Sequence, residues 1–106
     1  MKPNSDLELE TPLAAHVAAE AVLEEAQAYL NAELPRAWIA ALSRRAQLHY
    51  ANHPRFRKRL RSSGDKSREW LYAFMRHWLA ALILKARPDL HAKLPDRYNV
   101  GEPLTP

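Results

Sequence analysis

Apolar residues recur every three to four positions along most of the chain, and no stretch of useful length alternates apolar with polar. That pattern predicts helices and no sheet. The first helix is expected to start with Thr11 as N-cap and Pro12 at the first helical position, and to run to about Ala32. At about 100° per residue, Ala15, Ala19, Val22, Leu23, Ala26, Tyr29 and Leu30 fall on one face. Glu20, Glu24, Gln27 and Asn31 fall on the other. The inner stripe is mostly small, so a partner helix can approach closely. A second helix is expected from near Pro35 to near His53, with Trp38, Ile39, Leu42, Ala46 and Tyr50 inward and Arg44 and Gln47 outward. Pro54 should stop it, because the residue before a proline is pushed out of helical geometry.

Pro54 can open a third, short helix to about Ser62, anchored by Phe56 and Leu60 four positions apart. Ser62-Ser63-Gly64 reads as a turn with Gly64 as a left-handed C-cap, and Asp65 as the next N-cap. The helix that follows, about residues 66 to 87, carries Trp70, Leu71, Phe74, Met75, Trp78, Leu79, Leu82, Ile83 and Leu84 round most of its circumference. Only Glu69, Ala73, Arg76, Ala80 and Arg87 suit water. A helix apolar nearly all round belongs at the centre of a fold. Pro88 can begin a last short helix to about Leu94, and Pro95 ends it. The fold class is therefore all-α: a single small helical domain of four or five helices around the central one. Residues 1–10 are expected to be a flexible lead, 11–94 the helical domain, and 95–106 an extended or disordered tail that adds little to stability.

Composition narrows the function classes. The 106 residues hold no cysteine, which removes disulfides, thiolate metal sites and a cysteine nucleophile. The first ten residues lack a signal peptide's apolar run, and the longest apolar stretch, Trp70–Leu84, is 15 residues with Arg76 and His77 inside it. A soluble, cytoplasmic protein with no membrane association is expected. The net charge of +4 conceals a division: residues 1–34 carry seven acids and one base, residues 35–106 fifteen bases and five acids. Such a division fits a polyanion partner, or an acidic half that pairs with the basic one.

The basic half is concentrated in PRFRKRLRSSGDKSR, residues 54–68, where Arg55, Arg57, Lys58, Arg59, Arg61, Lys66 and Arg68 stand against Asp65 alone. Two features set it apart from an ordinary solvated face. No acid is interspersed between residues 54 and 64, so like charges three and four apart repel. Lys66 and Arg68 also sit where a helix begins, an end that disfavours cations and attracts anions. Five of the seven are arginines, which suit bidentate phosphate contact, and Arg44 and Arg45 could extend the patch. On this reading, removing Arg57, Arg59 and Arg61 should leave stability unchanged or raised. Against it stands the chance that these bases pair with Glu20, Glu24 or Glu25 for the sake of the fold.

Other chemistry is thin. His49 and His53, four apart, have the spacing of a helical metal pair, but no HExxH surrounds them. No nucleophile motif and no phosphate-cradling glycine loop occurs, so no cofactor is expected. The outline helix–turn–helix fits residues 54–87, yet the second helix is too apolar after its first turn to lie in a major groove. The expected function is non-enzymatic binding of nucleic acid or another polyanion at Arg55 to Arg68, through the backbone more than the bases. Two alternatives follow. One is a helical adaptor that binds another protein, or a second copy of itself, through its Ala-rich first helix or its tail. The weaker one is a metal-dependent enzyme using His49 and His53.

Overall fold

The computed structural model describes residues 12–62 and 67–99, and within them the chain forms helices joined by turns and short loops. Six helices follow in order: α1 (Pro12–Leu30), α2 (Ala37–Asn52), α3 (Pro54–Ser62), α4 (Ser67–Ala86), α5 (Pro88–His91) and α6 (Asp96–Asn99). The protein is a single small all-α domain. No helix among the described residues is long and apolar enough to cross a membrane. The first ten residues, with Thr11, Gly64, Asp65 and Lys66, lie outside the described residues.

The helix ends have local causes. α1 stops at Leu30 because Asn31 takes a left-handed backbone, φ 54°. The Ala32 N–H then reaches back to the Gln27 carbonyl at 3.3 Å, the closing bond of a Schellman turn. The Gln27 side chain accepts the Leu34 N–H at 2.8 Å and pins the connection to α2. Gln27 and Asn31 thus do more than face water. His53, extended at φ −123° and ψ 99°, ends α2 ahead of Pro54 as expected.

α1 lies along α2, and α4 packs against all five other helices, which makes it the centre the sequence predicts. Ala15, Ala18, Ala19, Val22, Leu23 and Ala26 of α1 are buried, and the small side chains let the helix come close. From α4 the core takes Leu71, Phe74, Met75, Trp78, Leu79 and Ile83. Three positions depart from the helical wheel. Tyr29 and Leu84 are about half exposed, at 54% and 52%, and Ala80 is buried. Tyr29 and Leu84 sit at the margins of their apolar arcs, where the neighbouring helices no longer reach. An alanine carries too little polarity to choose a side.

The C-terminal expectation needs correcting at residues 96–99. These form α6, and Tyr98 is among the most buried side chains, 1% exposed. Residues 100–106 lie outside the described residues. Glu25 of α1 holds α6 in place. Its Oε1 accepts the Arg76 Nε–H at 3.0 Å and the Tyr98 hydroxyl. Its Oε2 accepts Arg76 Nη2 and Arg97 Nη2, each at 3.3 Å. One carboxylate so ties α1, α4 and α6 together.

Burial works to raise the Glu25 pKa, but the hydrogen bonds from Arg76 and Tyr98 and the charges of Arg76 and Arg97 outweigh it, and the carboxyl sits below its ordinary range. Burial, followed by the bond to Glu25, pushes the Tyr98 hydroxyl well above its ordinary value. The signs give opposite pH limbs. A lowered carboxyl stabilises above the ordinary Glu value of about 4.3, and that contribution disappears as pH falls below it. A raised phenol stabilises below the ordinary Tyr value of about 10 and loses its contribution above it. We therefore expect the stability gap between wild type and Glu25→Gln to narrow on acidification below about pH 4. The gap to Tyr98→Phe, about 1–2 kcal/mol at neutral pH, should narrow only above about pH 10. Chemical denaturation across that pH range measures both; gaps constant with pH would mean the cluster does not form.

Candidate nucleic-acid interface

The basic segment folds as α3, a nine-residue helix with two apolar teeth. Phe56 and Leu60 are buried, as their spacing predicts. Phe56 meets Phe74 of α4 edge to face, with ring centroids 4.6 Å apart. That contact fixes which side of α3 faces inward and so where each cation goes.

The seven bases named from sequence divide into groups. Arg57, Arg59 and Arg61 make contacts that serve the fold. The Arg57 guanidinium donates through Nη1 to the Tyr50 carbonyl, and to that of Ala51 at 3.3 Å, at the C-terminal end of α2. A cation there satisfies carbonyls the helix leaves open and meets the negative end of its dipole. The Arg61 Nε donates to the Tyr50 hydroxyl at 3.0 Å. Arg59 lies over the Trp70 ring, 4.1 Å from its centroid, a cation–π contact. Arg55, Lys58 and Arg68 are exposed, and Lys66 lies outside the described residues. Arg68 shares the first turn of α4 with the exposed Glu69. Beyond that turn α4 packs against the other five helices, with Leu71, Phe74, Met75, Trp78, Leu79 and Ile83 buried.

Two acids of α1, Glu20 and Glu25, pair with bases outside residues 54–68. Glu20 meets Arg36 at 3.2 Å, and Glu25 meets Arg76 and Arg97. From Leu34 to Gly64 the sequence has no acid at all and eight bases: Arg36, Arg44, Arg45, Arg55, Arg57, Lys58, Arg59 and Arg61. This acid-free span is α2 together with α3. The density of bases points to the segment after Pro54, with Arg44 and Arg45 as an extension; the length of chain without an acid takes in α2 as a whole.

On the outer side of α2 the structure adds an open groove of roughly 440 Å³, lined by residues that include Arg44, Arg45, Leu48, His49, Asn52 and His53. The groove ends at the α2–α3 junction, where His53 precedes Pro54. His49 is half-buried. Its ring packs 4.9 Å from Trp78 and 5.6 Å from Phe56, and its Nδ1 lies 3.1 Å from the Arg45 carbonyl. The His49 and His53 rings are 4.5 Å apart. The pair is close enough to act together, yet no cluster of three or more histidines, aspartates and glutamates forms among the described residues. Arg44 and Arg45 in the same lining place two positive charges beside any cation that entered. The groove is suited to an anion.

The arrangement gathers positive charge on the exposed sides of α2 and α3. No protein-family model, no curated protein and no solved structure matches this chain, which leaves its own residues as the ground for a functional proposal.

Proposed function

We propose that this protein binds nucleic acid through its phosphates, with little reading of sequence, on the joined outer faces of α2 and α3. The observation that carries the proposal is the acid-free span from Leu34 to Gly64: seven of its eight bases stand on α2 and α3, Glu20 pairs with the eighth, Arg36, ahead of α2, and Glu25 pairs with Arg76 and Arg97 outside the span. Four exposed cations, Arg44, Arg45, Arg55 and Lys58, flank the junction at His53. Guanidinium groups match phosphate oxygens two at a time, and each contact releases a condensed counterion. The alternative of a protein partner on the Ala-rich helix has less room, because Ala15, Ala18, Ala19 and Ala26 are already covered within the fold.

Binding should therefore weaken steeply with salt. If those four cations each neutralise one phosphate, the slope of log K against log salt is about −3.6 on duplex DNA and about −2.8 on a single strand. Replacing Arg55 and Lys58 by Ala should flatten it by about 1.8 on duplex. Gel shifts with mixed-sequence DNA and RNA at several salt concentrations test this. Absence of binding at low salt would rule the proposal out.

A further inference from the structure

We propose that the groove on α2 seats one unpaired nucleotide, making the protein a single-strand binder; this rests on the nucleic-acid reading above. The lining combines three kinds of group in a space of roughly 440 Å³, which falls within the about 300–1,000 Å³ typical of small-molecule pockets. Arg44 and Arg45 supply positive charge for the flanking phosphates. Leu48, 50% exposed, and the imidazoles of His49 and His53 supply flat or apolar surface for a base. Asn52, exposed one residue before His53, carries both a donor and an acceptor for a base edge.

The stacking surface is fixed from behind. His49 is wedged against Trp78 and Phe56, so the ring is held before a ligand arrives and little order is lost on binding. A duplex keeps its base faces stacked on each other and could offer this groove only phosphates. A single strand can turn one base outward onto an aromatic or aliphatic surface, which is how unpaired nucleic acid is generally held. Positive charge continues past the junction on the exposed Arg55 and Lys58, available to further phosphates of the same strand.

The test compares ten-nucleotide oligo(dT) with a DNA duplex of the same length, by fluorescence anisotropy at one ionic strength. The single strand should bind at least about fivefold tighter, the lower end of what stacking one base contributes. The double variant His53→Ala with Asn52→Ala should lower single-strand affinity about tenfold while moving the duplex less than about twofold. Both residues are exposed, so the melting temperature should hold; should it not, Leu48→Ser provides the same reading. A duplex bound as tightly as the strand, or a preference that survives these substitutions, overturns the inference and leaves the phosphate reading standing. Failure of both nucleic acids to bind at low salt overturns both.

Discussion

Replacing Trp78 by Ala is expected to destabilise the domain by about 3–5 kcal/mol, a large share of what a domain this size possesses. Trp78 is 2% exposed and sits where three helices meet. Its ring lies 4.9 Å from His49 of α2, 6.2 Å from Phe56 of α3 and 5.9 Å from Phe74 of its own helix. Arg45 lies 5.2 Å from the same ring. An alanine there leaves a void that those neighbours cannot all collapse into. The indole also carries a liability, because its Nε1–H is buried with no hydrogen-bond partner. A buried donor of that kind costs about 1–3 kcal/mol. Phenylalanine keeps an aromatic ring and removes the orphan donor, so Trp78→Phe should lose less than about 2 kcal/mol. Thermal and denaturant unfolding of the two variants gives the comparison. A Trp78→Ala protein that melts with wild type would show that α4 is not the hub. A Trp78→Phe protein as weak as Trp78→Ala would show that the indole N–H has a partner after all.

The same residues mark how far the sequence could be read. Helices bounded by proline, and faces set by a period of 3.6, are local properties, and so α2, α3 and α4 were legible. Phe56 and Leu60 are the clearest case, since a four-residue spacing in a run of bases leaves only one way to face the core. Tyr98 is the opposite case. It stands in a proline-rich tail with no periodic neighbours, and its burial depends on Glu25, 73 positions away. Nothing local encodes that distance. Glu25 itself lies beside Glu24 in the sequence, and only the fold distinguishes a carboxylate that takes three partners from one that faces water. The candidate surface was half legible for a related reason. Charge density is visible in a string of letters; which guanidinium is engaged depends on what the helix packs against. The α2 groove required two residues from consecutive turns, His49 and His53, to be seen with Arg44, Arg45 and Asn52 as one lining.

That division among the arginines yields the sharpest reversal. Replacing Arg57, Arg59 and Arg61 together by Ala should destabilise the domain by about 2–4 kcal/mol, where the charge pattern alone suggested no loss. Two effects compete. Relief of like-charge repulsion within α3 contributes about 0.2–0.5 kcal/mol per pair, so about 1 kcal/mol over the helix. Against it stand three contacts. Arg57 closes the C-terminus of α2 through the Tyr50 and Ala51 carbonyls, and a charged hydrogen bond of that sort contributes about 1.5–3 kcal/mol. Arg61 holds the Tyr50 hydroxyl, and Arg59 covers Trp70 for about 0.5–1 kcal/mol more. The contacts win. Of the three single variants, Arg57→Ala should lose most, because it leaves two carbonyl oxygens at a helix end without that donor. The pair Arg55→Ala and Lys58→Ala offers the contrast: both side chains are exposed, so it should cost less stability than the triple variant while nucleic-acid affinity falls. Unfolding curves and binding isotherms on the same two proteins separate the roles. If the triple variant is as stable as wild type, the arginines of α3 do not join α3 to α2 and α4. If the Arg55 and Lys58 pair is unfolded, these cations hold the fold as well, and the binding surface must be sought on α2 alone.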